Sequence, residues 1–302
     1  MSTESPIPPV FRALVDDAAL FPPGNAPMPV AVAEHRHHRS APYADLVGPL
    51  LIPVARWHEL VCCLDAEPGR VPLDVGLIGA AGDVAAALPT VTGDDRVRLG
   101  QVECPITDDA ELPDALARLD PALPAGCALA VEIPRRRGWL DLVARVPQRH
   151  AGRPVWVKLR TGGLTADAFP SDGELTDFLG TALGAGQPFK LTAGLHRAVR
   201  YTDPATGFEH HGFGNVLAAV GEYLRSGRRS AVADQIASTA ATPVRAALRA
   251  LVRDERAGRA ARDVFRSYGS CSVAEPLTEL SELGLLDSAL LSHLPGPRRV
   301  DA

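Results

Sequence analysis

Short runs rich in aliphatic and β-branched residues recur eight times along the chain, at 13–16, 46–53, 73–79, 97–104, 128–134, 155–160, 189–192 and 263–268. Between them lie amphipathic segments such as WHELVCCLDA, DVAAALP, DALARLDPAL, WLDLVARV and ELTDFLGTALGAG, each long enough for a crossover helix. Strands that alternate with helices favour a parallel sheet, because each crossover returns the chain to the same end. Eight such units are what closes a (β/α)8 TIM barrel, and 302 residues suit one such domain spanning 1–302. An open doubly wound sheet is the runner-up. One connection breaks the pattern: residues 197–262 hold two helical segments, GNVLAAVGEYLRSG and ATPVRAALRALVRDERAG, in place of one. This predicts a helical insertion between strands seven and eight, forming an extra layer or a lid over the barrel mouth. The Pro-rich stretch FPPGNAPMP reads as a stiff loop, and the tail PGPRRVDA as frayed.

The formal net charge of −5 disfavours phosphate backbones and anionic membranes, so neither nucleic acid nor a membrane is an expected partner. No apolar run reaches the ~18 residues of a membrane span, and MSTESPIPPV lacks the blocks of a signal peptide. A cytoplasmic protein acting on a small molecule is expected, and a homo-oligomer is compatible with it. The five cysteines are scattered without a CxxC, which argues for reduced thiols rather than a disulfide framework or a zinc ribbon.

Among 31 lysines and arginines, only Lys158 and Lys190 are lysine. In a chain whose generic cations have become arginine, a retained lysine marks a need for an amine that can lose its proton. Strand parity places both inside the barrel. In VWVKLR the aliphatic Val155, Val157 and Leu159 share the helix-facing side, which leaves Trp156, Lys158 and Arg160 inward. The same alternation turns Lys190 and Thr192, Glu132, and Gln101 and Glu103 inward. Strands four to seven thus present Glu103, Glu132, Lys158 and Lys190 near the C-terminal mouth, where barrels place their chemistry. Two ammonium groups about 6 Å apart at an effective dielectric near 20 repel by roughly 3 kcal/mol, or about two pKa units, so one amine is expected to be neutral near physiological pH. A neutral amine beside a cation is equipped to attack a carbonyl and form a Schiff base, with the carboxylates moving protons. No cofactor is required for that chemistry.

Three motifs carry a family resemblance. KLRTGG at 158–163 is similar to the K-x-x-T-G strand of deoxyribose-phosphate aldolases, KLTAGLH at 190–196 to that family's second lysine strand, and FRSYGSCS at 265–272 to its phosphate loop. The resemblance implies a class I aldolase-like lyase with Lys158 as nucleophile and Lys190 as the perturbing amine. The chain departs from the pattern in carrying Glu103 for an aspartate, Ala193 for a glycine and His196 for an arginine, and in its long insertion. FKLTAGLH and HHGFGN also resemble segments of a bacterial group of unassigned function.

The expected substrate is a small carbonyl compound, phosphorylated or carboxylated. Arg160, Thr161, Gly162, Thr192, Gly194, His196, Gly269 and Ser270 are its expected contacts, with the backbone of YGSCS and the following helix start converging on an anion. Two other classes remain open. His196, His210 and His211 with Glu103 or Glu132 could hold a divalent metal in a lyase or hydrolase, although adjacent histidines point apart. A non-catalytic binding barrel would keep the same ionisable groups paired and inert. Asp16 or Asp17 could serve as an acid or base or as a cap, Cys271 reads as a small buried thiol, Asn215 as a helix N-cap, and HRHH at 35–38 as a solvated helix face.

Overall fold

A computed structural model describes residues 5–67, 69–107 and 110–296. Eight parallel strands form its centre: β1 Val15–Asp17, β2 Val47–Pro53, β3 Leu73–Ile78, β4 Val97–Pro105, β5 Ala128–Glu132, β6 Arg153–Arg160, β7 Phe189–Thr192 and β8 Phe265–Ser270. Each pairs with its successor, β8 pairs with β1, and the sheet closes into a TIM barrel. The first and eighth strands lie one to two residues later than the alternation of aliphatics suggests. Asp263 and Val264, expected in the last strand, complete a helix instead. From 297 onward the tail expected to fray lies outside the described residues.

Helices α1 Met28–Ser40, α2 Trp57–Asp65, α3 Ala81–Gly93, α4 Glu111–Leu119, α5 Trp139–Arg145 and α6 Asp172–Gly184 follow β1 to β6 in turn. α6 starts at a reciprocal capping box, in which the Ser171 hydroxyl accepts from the Glu174 N–H and the Glu174 carboxylate accepts from the Ser171 N–H. The outward faces of the strands pack under these helices. Phe189 of β7 stacks on Phe265 of β8 at 5.1 Å and meets Phe178 of α6 edge-on at 5.6 Å, contacts each worth about 1 kcal/mol beyond the buried area.

The long connection after β7 holds four helices rather than two: α7 Phe213–Ser226, α8 Arg229–Ala237, α9 Ala241–Arg253 and α10 Glu255–Val264, with α11 Ala274–Glu282 after β8. Gly227, in the left-handed region at φ 67°, ends α7. Asp254 closes α9 and caps α10 by accepting from the Ala257 N–H, which splits the segment that reads as one helix. α7 occupies the ordinary barrel position, with Phe213 stacked on Tyr268 of β8 at 5.3 Å. α8 packs on α6 and α7, and α9 on α7. α10 reaches the turn at Pro9–Phe11 beside the N-terminal mouth. Asn215 clips the insertion together rather than capping α7: its Oδ1 accepts from the Arg200 N–H, and its Nδ2 donates to the carbonyls of Gln235 and Ser238. Among the described residues no helix is long and apolar enough to cross a membrane.

Candidate active site

The inward parity of β6 and β7 sets Lys158 and Lys190 at paired register positions, with Glu132 of β5 level with Lys158 on its other side. Glu103 of β4 reaches across to both amines. Its Oε1 lies 2.5 Å from Lys190 Nζ and its Oε2 lies 2.5 Å from Lys158 Nζ. Lys158 Nζ also stands 2.8 Å from Glu132 Oε2, whose partner oxygen accepts from Arg160 Nε at 3.1 Å. Lys190 Nζ donates to Asp16 Oδ2 at 2.5 Å, and the same oxygen accepts from Gln101 Nε2 at 2.9 Å and Ser267 Oγ at 2.7 Å. The chain Ser267, Asp16, Lys190, Glu103, Lys158, Glu132 and Arg160 thus crosses the barrel interior as one network.

Small residues make the room. A Cβ on Gly48 would stand 2.2 Å from Asp16 Oδ1, and one on Gly76 would stand 2.9 Å from Gln101 Cγ. The polar side chains occupy space that bulkier neighbours fill in an apolar barrel.

The network holds three carboxylates and three cations, so the repulsion between the lysines is answered by Glu103 between them. Complete burial acts to raise the Glu103 carboxyl, but the two ammonium groups outweigh it and hold its pKa down at about 2. Burial likewise acts to lower Lys190, and Asp16 and Glu103 outweigh it, leaving that amine more firmly protonated than a free lysine. Lys190 is therefore not the neutral amine that mutual repulsion predicts. Glu132 is held below the usual carboxylate range by Lys158 and Arg160 against the effect of burial.

The two lysines are held unequally. Lys190 makes hydrogen bonds to Asp16 and Glu103 and is 0% exposed. Lys158 is ion-paired with Glu103 and Glu132 and is 2% exposed. It also lies on the side of the network that leads through Glu132 to Arg160, whose side chain is 53% exposed.

The remaining predicted positions divide by role. Thr192 and Gly269 pair in register at the inner rim. Thr161 is buried, and its hydroxyl donates to the carbonyls of Thr192 and Ala193, tying the ends of β6 and β7 together. Gly162 and Gly194 meet backbone to backbone: a Cβ on Gly162 would lie 2.8 Å from Gly194 Cα, and Gly194 itself adopts φ 75°. These three positions shape the mouth through backbone packing. The Ser270 hydroxyl donates within its own loop, to the Ser272 carbonyl at 2.7 Å, and the Glu275 carboxylate stands in the first turn of α11.

His196 Nδ1 pairs with Glu275 Oε2 at 2.9 Å, and its ring centroid stands 6.1 Å from that of His210. His210 Nδ1 bonds the Gly194 carbonyl, while His211 Nε2 bonds the Pro170 carbonyl. Among the described residues no group of three or more His, Cys, Asp or Glu side chains is placed to hold a metal ion. His35 and His38 turn inward rather than forming a solvated face: His35 Nδ1 pairs with Asp17 Oδ2 at 3.0 Å, and His38 Nδ1 with the Tyr43 hydroxyl at 3.0 Å.

A cavity of about 670 Å³ opens at the opposite, N-terminal mouth, lined by Trp156, Gln101, Asp16 and several arginines. Its arginines are committed to the fold. Arg262 donates to the carbonyls of Arg12, Ala13, Phe265 and Arg266, Arg39 to those of Ala44 and Val47, and Arg98 to Asp74. This end anchors the barrel. Comparisons with protein-family models, curated proteins and solved structures return no match to this chain.

Proposed function

We propose that the barrel is a class I aldolase-like lyase in which Lys158 forms a Schiff base with a small carbonyl compound. The observation that carries this reading is the wedge of the Lys158 amine between two carboxylates, Glu103 at 2.5 Å and Glu132 at 2.8 Å, on the side of the network nearest the mouth. To attack, the ammonium must give up a proton, and either carboxylate is placed to receive it. The amine then adds to the carbonyl carbon. Return of protons to the oxygen expels water and leaves an iminium, the electron sink that allows a neighbouring C–C bond to break or form. Lys190, held charged by Asp16 and Glu103, keeps a cation beside the reacting amine. Arg160 and Thr192 at the inner rim support a substrate with a phosphate or carboxylate group, since a half-exposed guanidinium there offers it paired donors.

Borohydride trapping with a panel of small aldehydes and ketones, read by intact and peptide mass, tests the reading. A reduced adduct on Lys158 is the expected result. The absence of any lysine adduct across phosphorylated, carboxylated and neutral carbonyl compounds overturns it, and leaves the network as the paired, inert interior of a binding barrel.

A further inference from the structure

The cavity of about 670 Å³ at the N-terminal mouth is lined by six arginines and three aspartates, in a chain whose net charge is −5. Its acids are already answered. Asp16 accepts from Lys190, Asp74 is shared between Arg39 and Arg98, and the Asp263 side chain is 81% exposed. The arginines are not all answered in return. Arg262 spends its hydrogen bonds on four backbone carbonyls, which fix the guanidinium in place without cancelling its charge. Arg12 likewise donates its Nε to the Ile7 carbonyl at 3.1 Å. Among the described residues neither guanidinium is ion-paired with a carboxylate.

Arg266 adds a third cation. Its Nη1 donates to the Arg262 carbonyl at 3.1 Å, its guanidinium carbon lies 5.3 Å from the centre of the Trp156 ring, and its ion pair with Asp263 is long, at 3.6 Å. The Nε atoms of Arg262 and Arg266 are both buried and have no hydrogen-bond partner among the described residues. Burial and the neighbouring Arg266 pull Arg262 down to about 9 against the opposite pull of Asp16 and Asp263. Like charges held together without a counter-ion in a partly enclosed space are costly, and an anion entering that space removes the cost.

We propose that this cavity binds a small polyanion, a compound with two or more phosphate or carboxylate groups, between Arg12, Arg262 and Arg266, with Trp156 as its inner wall. Guanidinium groups suit such a ligand because their forked donors match the oxygens of phosphate and carboxylate in pairs. The volume lies within the range of small-molecule sites and exceeds what one phosphate group fills. The floor is Asp16, Gln101 and Ser267, and the charge of Asp16 is balanced by Lys190, so the one acid beneath the ligand does not repel it unopposed. This site is at the opposite end of the barrel from Arg160 and rests on nothing in the Schiff-base reading.

The test is a titration of the full chain with pyrophosphate and with citrate at low ionic strength, followed by calorimetry and tryptophan fluorescence. Trp57 and Trp139 lie on α2 and α5, outside the barrel, so the emission change on binding is expected to disappear in Trp156→Phe. Arg266→Met and Arg12→Met should each weaken binding about 10- to 100-fold, the range for losing hydrogen bonds to a charged group, and added salt should weaken it further. Arg160→Met, altered at the other mouth, should leave the Trp156 response unchanged. Thermal unfolding checks each variant, and Arg12→Met, which changes the turn before β1, carries the test if Arg266→Met does not fold. Absence of binding by both anions, heat of binding without a Trp156 response, or an affinity unchanged in the folded arginine variants overturns the proposal. Neither probe is an aldehyde or ketone, so the result stands or falls separately from Schiff-base trapping.

Discussion

Lys158 and Lys190 are register partners on adjacent parallel strands, and Glu103 lies between them with one oxygen 2.5 Å from each ammonium nitrogen. Asp16 is the second carboxylate on Lys190 and with Glu103 keeps that amine protonated, whereas Lys158 takes Glu132 as its second partner.

The first prediction concerns acid stability. Glu103 moves from 4.5 to about 2 on folding, so the unfolded chain binds its proton more tightly and this carboxyl contributes stability above about pH 4.5. That contribution, roughly 3 kcal/mol, is lost as the pH falls from about 4.5 through about 2. Glu103→Gln should remove this part of the acid transition. It should also cost on the order of 3–5 kcal/mol at neutral pH, because two buried ammonium groups lose their common counter-ion. Urea unfolding across the acid range measures both, and an unchanged acid profile in Glu103→Gln would show that another group controls the transition.

The second prediction separates charge from nucleophilicity at position 158. Lys158→Arg keeps a cation between Glu103 and Glu132 but substitutes a guanidinium that does not deprotonate in this pH range. Borohydride adducts should disappear while thermal unfolding moves by only a few degrees. An adduct that persists, now on Lys190, would transfer the nucleophilic role to that residue.

Much of this arrangement is legible in the sequence because closed parallel strands are long and aliphatic on their outer face. Val155, Val157 and Leu159 fix the parity that sends Lys158 inward, and Leu129 and Val131 do the same for Glu132. Asp16 is hidden by the same logic. β1 has only three residues, all buried, and its adjacent aspartates give no alternation to decide which faces the barrel and which meets His35. The meeting of His196 with Glu275, 2.9 Å apart, is equally invisible along the chain, since it is created by the pairing of β7 with β8 across a four-helix insertion. The break between α9 and α10 escapes a periodicity argument because Asp254 interrupts the helix without glycine or proline.

A third prediction follows from Ala193. It adopts φ 63°, a left-handed conformation that costs a residue with a Cβ roughly 1–2 kcal/mol and costs glycine little. Ala193→Gly should therefore raise stability by about 1 kcal/mol, net of the greater freedom glycine has when unfolded, and shift the urea midpoint upward. A downward shift would mean that the methyl group makes contacts worth more than the backbone strain.

Asn215 supports the fourth. It is fully buried and bonds one N–H and two carbonyls, so Asn215→Ala removes three hydrogen bonds, of which only the Gln235 carbonyl keeps another donor, the Ser238 N–H. The cost should be roughly 2–3 kcal/mol. Hydrogen exchange should rise selectively where Gln235 and Ser238 leave α8, while the amides of β6 and β7 keep their protection. Uniform loss of protection would show that the insertion and the barrel unfold as one unit.

The last prediction addresses substrate charge. Arg160 sits at the mouth with its side chain about half exposed and its Nε donating to Glu132 Oε1. A phosphate or carboxylate on a carbonyl substrate would meet this cation while its carbonyl carbon approaches Lys158. Arg160→Met removes the donor fork but keeps a flexible side chain of similar reach. Trapping efficiency for an anionic carbonyl compound should fall about 10- to 100-fold, the range for losing hydrogen bonds to a charged group. Release of Glu132 from its partner alters proton transfer for every substrate alike, so the informative quantity is the ratio between an anionic compound and its neutral analogue. A ratio unchanged by Arg160→Met would remove the guanidinium from substrate recognition and confine it to holding Glu132 in place beside Lys158.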